Sequence, residues 1–600
     1  MTIILGIQEA HDASAALMID GEIVAAAQEE RFTGLKGDYG YPERAIAACL
    51  SQAGVDPSRI DHVALASHNW NPVLTKIKRN ANFSMADWVQ EQHDYWKPRL
   101  YEGRDVCYYD LYKDRPGFKY DGTYDMDHLL RGYMQPEEMR QMAEVRRRTV
   151  SQKLGVPPER IQAVLHEDCH TFYSYFGGPL RGRVLTLTAE GFGDYSNGTV
   201  SIFSEQGREE LARSVENHLG HIYQYITLLL GMKPNQHEYK VMGLAPYAND
   251  RETGRSYKVF ERILKVDGLN ILYDQKPRDL YFHFREALEG HRFDGIAGAV
   301  QKFVEVVMAR WTQACAKATR LDRVCFVGGV AQNIKACKVM AELDEVRELH
   351  VLPAAGDTSL PLGACYYLMW KVLREGGRSV ESLRPLKNIY LGPDFSDYDI
   401  RRFLEDSGAA ARHHVTPGVT PEQIAQLLAD GRIVARCSGR MEFGLRALGN
   451  RSILADPRQA QTVRKINDAI KFRDFWMPFT PTILAERESD YIVNSKRLQC
   501  PYMTLAFDST AKARQDLIAA MHPGDFTIRP QLLEQRANPE YYAILKAFEQ
   551  RTGVGGVLNT SFNLHGDAIV LCPKDAVRTF EQSDLDALVL GNYLLTRRTC

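Results

Sequence analysis

The sequence lacks several features that mark particular classes of protein. Its 11 cysteines are scattered and form no Cys-x-x-Cys pair, so neither a disulfide framework nor a zinc ribbon is expected. No apolar run approaches the roughly 20 residues that a membrane span needs, and the first residues contain no basic signal segment. A net charge of -2 gives no general attraction to nucleic acid or membranes. We therefore expect a cytoplasmic protein that binds neither.

A chain of 600 residues is too long for one hydrophobic core, so two or more domains are expected. Residues 374–387 contain Gly376, Gly377 and Pro385 and form the best linker candidate. We place a first domain at 1–380 and a second α/β domain at 388–600, whose last strand is predicted at 587–590. A homodimer is the default expectation for the assembly.

The first half contains a repeated strand–turn–strand pattern. Strands are predicted at 3–7, 15–19 and 22–28, the last two joined by the hairpin turn Asp20-Gly21. A second set follows, with strands at 183–188 and 199–203 around a glycine-containing turn. This duplication predicts an α/β fold of the actin-like type. Residues 70–150 interrupt it with helical, aromatic and charged sequence, which fits either a cover for a substrate or a plain surface excursion.

A metal site is one interpretation of four polar residues in this half. His166 and His170 are four positions apart, so on a helix they share one face, although two surface histidines can also occur by chance. Glu190 follows a predicted strand, and Asp357 lies in a turn before an apolar helix. Two imidazoles and two carboxylates suit Fe(II) or Mn(II) better than Mg²⁺ or Ca²⁺.

Glycine turns in the same half favour a nucleotide triphosphate such as ATP. Residues 328–333 follow a predicted strand and precede a helix, where backbone N–H groups can bind an anion. Residues 238–247 add a lysine and what we interpret as another glycine turn. The nucleotide-binding candidates are Lys240, Gly243, Gly328, Gly329, Val330 and Asn333.

Two further residues are candidates for catalysis. His11 lies in a loop at predicted strand ends, where catalytic groups of open α/β sheets lie, and could act as a general base. A hydrogen-bonded turn histidine is the plainer alternative. Lys36 could stabilise negative charge, although its spacing alone fits a solvated lysine.

The second half contains an arginine-rich segment at 439–458, with four arginines, three glycines and two acids. Arginine binds phosphate through two parallel hydrogen bonds, so the segment predicts a phosphorylated ligand, while a basic solvated face is the alternative. Asn559 and Ser561 follow a predicted strand at 554–558 and could recognise a small amide group. The candidates for this ligand are Arg440, Arg473, Arg529, Asn559 and Ser561.

These motifs resemble the O-carbamoyltransferases of natural-product biosynthesis, the NodU/cephamycin-type family. The resemblance extends over nearly the whole chain and rests most strongly on 439–458 and on Asn559-Thr560-Ser561-Phe562-Asn563. It implies an actin-like ATPase domain followed by a YrdC-like domain. In such enzymes carbamoyl phosphate gives carbamate at the second site. Carbamate then moves within the protein to the first site and reacts with ATP to form carbamoyl adenylate, and an acceptor hydroxyl takes the carbamoyl group.

The resemblance also implies roles for single residues. His166, His170 and Asp357 would hold an iron-type metal at the ATP phosphates, His11 would deprotonate the acceptor, and Lys36 would assist. The chain departs from the family pattern at three positions. Glu167 replaces the middle histidine of His-His-x-x-His, Glu190 replaces an aspartate, and Met477 stands where relatives often have arginine.

Three functions remain open from the sequence. The favoured function is ATP-dependent carbamoyl transfer to a small hydroxylated metabolite, which would release AMP and pyrophosphate. The second is an actin-like small-molecule kinase, which would release ADP. Carbamoylation of tRNA or protein is disfavoured by the absence of Cys-x-x-Cys modules and by the near-neutral charge. Acids among the aromatic residues of 70–150 would suit a cationic acceptor.

Overall fold

The computed structural model describes residues 1–133 and 135–598, and the chain divides into two compact units, Met1–Leu386 and Lys387–Cys600. In the described part of the chain, every helix is too short or too polar to cross a membrane.

The first unit is built on twelve strands in two five-stranded sheets and one two-stranded sheet. In chain order they are β1 Ile3–Gln8, β2 Ser14–Ile19, β3 Glu22–Gln28, β4 His62–Ala66, β5 Ile161–Val164, β6 Val184–Ala189, β7 Gly198–Ser204, β8 Gly207–Ser214, β9 Leu264–Asp267, β10 Asn270–Tyr273, β11 Arg323–Val327 and β12 Glu348–His350.

The two large sheets have the same topology. The first has the order β3-β2-β1-β4-β5 and the second the order β8-β7-β6-β11-β12. In each, three antiparallel strands are followed by two strands parallel to the first of them. The α/β class and the duplicated, actin-like core predicted from the sequence are thus confirmed. The sequence missed β8, the third strand of the second antiparallel set.

Sixteen α-helices surround these sheets in the described part of the first unit. They are Glu30–Thr33, Glu43–Ala53, Pro72–Lys76, Arg79–Asn82, Met85–Glu91, Lys97–Tyr101, Tyr108–Tyr112, Pro136–Leu154, His166–Phe176, Leu219–Leu229, Glu238–Leu244, Asp250–Phe260, Leu280–Ala287, Phe293–Thr319, Ile334–Glu342 and Leu360–Glu375.

The 70–150 segment is part of the core of the first unit. Trp70, Tyr124, Met142 and Val150 are buried in the same hydrophobic cluster as Leu5 of β1. A segment that shares a core with the central strand is not a surface excursion, so that alternative is wrong. Whether the segment covers a substrate stays a prediction.

The helix Leu360–Glu375 packs on both β1 and the helix His166–Phe176. Cys365 donates a long Sγ–H contact of 3.7 Å to the carbonyl oxygen of Ile4 in β1. Glycines make this close approach feasible, because a Cβ at Gly6 would lie 2.8 Å from the Cys365 Sγ. Such tight packing fixes the loop before this helix, which carries Asp357, against the helix of the two histidines.

The second unit contains an eight-stranded mixed sheet and a three-stranded sheet. Its strands are β13 His413–Pro417, β14 Val434–Cys437, β15 Arg451–Ala455, β16 Thr480–Leu484, β17 Ile492–Val493, β18 Phe507–Ser509, β19 Thr527–Ile528, β20 Gln531–Leu533, β21 Gly556–Ser561, β22 Ala587–Leu590 and β23 Tyr593–Arg597. Its α-helices are Asp397–Asp406, Ala409–Arg412, Pro421–Ala429, Gln461–Ile466, Glu488–Tyr491, Ala511–Asp516, Pro539–Thr552 and Pro573–Glu581.

The large sheet has the order β13-β23-β22-β14-β15-β21-β16-β20. Two sequence predictions are wrong here. The strand predicted at 587–590 is followed by one more, β23, which pairs with it as a hairpin. Asn559 lies within β21, because this strand extends to Ser561 while pairing with β15 on one side and β16 on the other. Ser561 is the last residue of the strand and so lies at a strand end, as predicted. A YrdC-like identity for this unit stays a prediction.

Candidate functional site

The helix His166–Phe176 presents two histidines to one point of the first unit. His166 and His170 are buried, and their ring centroids are 4.7 Å apart, as expected for positions i and i+4. The helix begins directly at His166, whose backbone N–H donates to the Asp194 carboxylate at 2.7 Å. This contact satisfies one of the N–H groups that a helix N-terminus leaves without an intrahelical partner.

Two carboxylates from other elements face these histidines. Glu190 directly follows β6, and its Oε2 lies 2.7 Å from His166 Nε2 and 3.4 Å from His170 Nε2. Asp357 precedes the helix Leu360–Glu375, and its Oδ1 lies 3.7 Å from the Nε2 atom of each histidine. One ligand atom from each of the four residues falls within 4.8 Å of the others. The four residues that the sequence predicted as a metal site are therefore brought together.

The donor set fits a divalent metal ion. Among the described residues, no hydrogen-bond partner reaches the Nδ1 atom of His170 or the Oε1 atom of Glu190, although both atoms are buried. Buried polar atoms without partners carry a desolvation penalty that a metal ion would remove. Imidazole and carboxylate donors together suit first-row metals such as Fe(II) or Mn(II).

The two carboxylates of this cluster stabilise positive charge beside them. Although burial works against a charged imidazole, the Glu190 and Asp357 carboxylates raise the pKa of His166 to about 10. Burial would likewise raise the pKa of Glu190, but the two histidines lower it to about 2. A divalent cation would supply the charge that the protonated imidazoles provide here.

His11 lies beside the same cluster, in the loop between β1 and β2. Its Nε2 is 3.0 Å from Asp357 Oδ2, and its Nδ1 is 3.3 Å from Asp12 Oδ2. Burial opposes protonation of His11, but the Asp357 and Asp12 carboxylates raise its pKa well above the ordinary value. The imidazole is thus oriented by a carboxylate at each nitrogen, which stabilises the protonated ring.

Lys36 lies in a loop near a second lysine that the sequence did not single out. Gln236 donates from Nε2 to the backbone carbonyl of Lys36 at 3.4 Å, which links this loop to the loop before the helix Glu238–Leu244. Burial and the charge of Lys36 lower the pKa of Lys233 to about 8. Two neighbouring ammonium groups suit an anionic ligand.

The glycine turn after β11 adjoins the Asp357 loop. Gly328 has φ of 103°, and a Cβ there would lie 2.5 Å from the carbonyl oxygen of Ala189, so this position requires glycine. A Cβ at Gly329 would meet nothing within 4 Å, and Val330 is buried. The turn is closed by Asn333, whose Oδ1 accepts from Ala336 N at 3.0 Å and caps the helix Ile334–Glu342.

The other nucleotide-binding candidates occupy a different local structure from the one predicted. Lys240 and Gly243 lie inside the helix Glu238–Leu244 and are buried, so no glycine turn exists there. The sequence Lys-Val-Met-Gly-Leu allows a helical turn, and burial of Val241 and Leu244 favours it over a loop.

Three arginines converge in the second unit. Burial and the charges of Arg446 and Arg473 lower the pKa of Arg529 well below its ordinary value. The Nε atom of Arg529 is buried, and no hydrogen-bond partner reaches it among residues 1–133 and 135–598. Arg473 donates from Nη2 to Thr560 Oγ1 at 3.0 Å. Arginines whose charges act on one another in this way are stabilised when an anion binds near them.

Three of the four arginines of 439–458 bind backbone carbonyls or a neighbouring carboxylate. Arg440 donates to the backbone carbonyl of Leu391 at 2.9 Å. Arg451 is buried and donates to several carbonyls, including Leu571 O at 3.0 Å. Arg458 pairs with Asp456 at 2.6 Å. Arg446, which is not among the residues predicted for this ligand, is the arginine of 439–458 whose charge lowers the pKa of Arg529.

Asn559 and Ser561 lie on β21 in different hydrogen-bonding roles. The Asn559 amide nitrogen donates to Ala447 O at 3.2 Å and to Thr482 Oγ1 at 3.0 Å. Its Oδ1 atom is buried, and none of the described residues donates to it. Ser561 Oγ donates to Asn563 Oδ1 at 2.7 Å and accepts from Lys471 Nζ at 3.2 Å. Asn559 therefore offers a free acceptor, while Ser561 belongs to a local network.

Two family models match most of the chain. The model described as Carbamoyltransferase N-terminus matches residues 3–366, and the model described as Carbamoyltransferase C-terminus matches residues 425–597.

Curated relatives extend this similarity over the full length. An uncharacterised protein of Synechocystis is 29% identical, covering 100% of this chain and 97% of its own. Nodulation protein NolNO of Sinorhizobium fredii is 30% identical over 98% of this chain and 79% of its own. The 3'-hydroxymethylcephem-O-carbamoyltransferase of Amycolatopsis lactamdurans is 25% identical over 60% of this chain and 65% of its own.

Proposed function

Because the chain belongs to the carbamoyltransferase family, we propose that it uses carbamoyl phosphate and ATP to carbamoylate a hydroxyl group of a small molecule. The observation that carries this proposal is the convergence of Arg446, Arg473 and Arg529 in the second unit, together with the unpartnered Asn559 Oδ1 on β21. A phosphate and a carbamoyl group are the two parts of the proposed donor.

The second unit would bind carbamoyl phosphate and release carbamate. The three guanidinium groups stabilise the phosphate and the charge that grows on it as the bond to the carbamoyl carbon breaks. The Asn559 amide nitrogen is already engaged, so its Oδ1 is the atom that accepts from the carbamoyl NH₂ group. Water attacks the carbamoyl carbon, and carbamate and inorganic phosphate form.

The first unit would use that carbamate with ATP. A carbamate oxygen attacks the α-phosphorus, so pyrophosphate leaves and carbamoyl adenylate forms. His166, His170, Glu190 and Asp357 would hold the metal ion, which as a Lewis acid would offset the charge of the triphosphate. The open space beside Gly329 would give the nucleotide phosphates room to approach the backbone of the Gly329–Gln332 turn.

Transfer to the acceptor would take place beside His11. With a metal ion bound at Asp357, the charge of that carboxylate would be offset and would no longer hold His11 in its protonated form. The acceptor hydroxyl then attacks the carbamoyl carbon, AMP leaves, and the neutral imidazole of His11 receives the hydroxyl proton. The carboxylates of Asp12 and Asp357 orient the ring, and Asp12 stabilises the protonated form that results. Lys36 and the neighbouring Lys233 would stabilise the adenylate phosphate.

The acceptor is a hydroxylated small molecule in this proposal, as the name of the cephem-modifying relative also suggests for that protein. A cationic acceptor gains little support from the acids of 70–150. Glu91 accepts from Arg79 Nε at 2.9 Å, and Asp87 pairs with Arg115. The charges of Glu91 and Asp87 are therefore paired with arginines of the same segment.

The test is the set of products formed from the full chain with ATP, carbamoyl phosphate and a panel of hydroxylated metabolites. We expect AMP, pyrophosphate and a carbamoylated metabolite, formed only when all three substrates are present. An Arg529→Met variant should lose phosphate release from carbamoyl phosphate while still binding ATP. Release of ADP with a phosphorylated metabolite would contradict the proposal and identify a kinase.

A further inference from the structure

Two buried acids lie next to the cluster of His166, His170, Glu190 and Asp357 and have no role in the proposed chemistry. Glu167 follows His166 on the helix His166–Phe176, and Asp194 lies in the loop 190–197 that begins with Glu190. Both side chains are buried, and neither contributes an atom to the four-residue cluster. A buried carboxylate needs hydrogen-bond partners, so its partners indicate what it stabilises. Both oxygens of Asp194 have such partners, whereas for Glu167 they are confined to Oε1 among the described residues.

Asp194 connects the 190–197 loop to the start of the helix His166–Phe176. Its Oδ2 accepts from the backbone N–H groups of His166 and His68, each at 2.7 Å. Its Oδ1 accepts from Asn69 N at 2.7 Å and from Ser67 Oγ at 2.5 Å. One carboxylate therefore holds the first residue of the helix and the loop after β4. The positive end of the helix dipole at His166 strengthens this contact.

Glu167 makes the reciprocal connection from the helix to the loop. Its Oε1 accepts from Ser196 Oγ at 2.7 Å and from Tyr195 N at 3.2 Å. Arg213 of β8 donates to the same atom at 3.1 Å. The loop itself is closed by Glu190 N, which donates to Asn197 O at 2.9 Å.

We infer that Glu167 and Asp194 form a helix–loop clasp that sets the separation between the histidine ligands and Glu190. Each acid belongs to one of the two elements and binds one backbone N–H group of the other. This inference rests on the metal site of the proposed function. It gives Glu167, which stands where the family often has a histidine, a positioning role in place of a ligand role.

The clasp fixes distances that metal binding depends on. His166 and His170 reach the cluster from the helix, whereas Glu190 reaches it from the loop. Metal–ligand bonds tolerate deviations of about 0.2 Å, so relative movement of the two elements weakens binding. Loss of residues that orient metal ligands typically lowers metal affinity by about 10–100-fold.

The test measures Mn(II) binding to the full chain by electron paramagnetic resonance. In Asp194→Asn the new NH₂ group must face backbone N–H donors at one of the two former oxygen positions, so at least one contact is lost. We expect Mn(II) affinity to fall at least about tenfold, with a broader spectrum of the bound ion. Glu167→Ala should act in the same direction, because Tyr195 N and Ser196 Oγ lose their shared acceptor.

Asp294→Asn is the matched control. Asp294 is also buried in the first unit, but its carboxylate binds Arg292 at 2.8 Å and Gly295 N at 2.9 Å. This variant should keep wild-type Mn(II) affinity even where its unfolding temperature falls. Wild-type affinity in both Asp194→Asn and Glu167→Ala would overturn the clasp alone. Failure of the wild-type chain to bind Mn(II), Fe(II) or Co(II) would overturn the metal site itself.

Discussion

Replacing Gly363 by alanine tests how the helix Leu360–Glu375 positions the proposed metal site. An ideal Cβ at Gly363 would clash most severely with the carbonyl oxygen of Cys169, and would lie 2.5 Å from its carbonyl carbon and 2.9 Å from its Cα. Carbon atoms in contact prefer about 3.5–4.0 Å, so the two helices must separate by about 1 Å. Cys169 lies between His166 and His170, and Gly363 follows Asp357 by six positions. The added methyl group therefore moves ligands from different elements apart.

The expected magnitude follows from two opposing effects. Overpacking a well-packed contact costs about 1–3 kcal/mol, while alanine in place of glycine in a helix gains about 1 kcal/mol. The free energy of unfolding should thus fall by up to about 2 kcal/mol. A displacement of about 1 Å is several times the 0.2 Å tolerance of metal coordination. Metal affinity should fall by more than tenfold, which is a larger relative effect than the one on folding.

The assay combines thermal unfolding with a titration of Mn(II) or Fe(II). The control is Gly254→Ala, which lies in the helix Asp250–Phe260 and would place its Cβ in open space. This control should be as stable as the wild type or about 1 kcal/mol more stable, with unchanged metal affinity. If Gly363→Ala bound metal as tightly as Gly254→Ala, the contact would not determine the ligand geometry.

The remaining predictions concern the other charged and buried groups. Inorganic phosphate or carbamoyl phosphate should raise the unfolding temperature of the wild type. At a ligand concentration of 100 times Kd, the free energy of unfolding should rise by about 2.7 kcal/mol. Arg529→Met should show no such rise, whereas the exposed Arg402→Met should behave as wild type. Removal of divalent metal with a chelator should lower the unfolding temperature, and added Fe(II) or Mn(II) should restore it; an unchanged temperature would contradict metal binding. Burial lowers the pKa of His350 to about 4. The unfolded chain therefore binds more protons between pH 6.5 and 4, and stability should fall by about 3 kcal/mol as pH decreases through this range. His350→Gln should flatten this acid dependence, while exposed His414→Gln serves as the control; equal slopes would refute the assignment to His350.

Sequence patterns predicted most reliably the features that depend on neighbours in the chain. The hairpin β2–β3 follows from its short apolar runs and the Asp20-Gly21 turn, and the pairing of His166 with His170 follows from helical periodicity. The convergence of Asp357 on these histidines involves a separation of more than 150 residues, whereas Glu190 follows His170 by 20 positions. The prediction placed Glu190 at the end of a strand and Asp357 in a turn before an apolar helix, and the structure brings both to the histidines.

Features that depend on tertiary contacts were missed or misplaced. Arg440, Arg446 and Arg451 have the same side chain and similar local sequence, yet Arg440 and Arg451 bind backbone carbonyls whereas Arg446 lies near Arg529. No periodicity separates these roles, because each is set by the partner that folding brings near. The role of Asp194 is invisible for the same reason, since its partners His68 and His166 belong to other elements.

The contact between β1 and the helix Leu360–Glu375 has a consequence for synthesis of the chain. Cys365 contacts the carbonyl oxygens of Ile4 and Ala16, so the first hairpin of the protein packs against the last long helix of its unit. At about 5–20 residues per second, a ribosome needs on the order of 20–70 s to make the intervening chain. Throughout that interval the apolar face of the hairpin lacks its covering helix. The apolar face of the N-terminal strands can therefore be buried only after the last helix of their unit has been synthesised. A nascent chain halted before residue 360 would leave this face exposed.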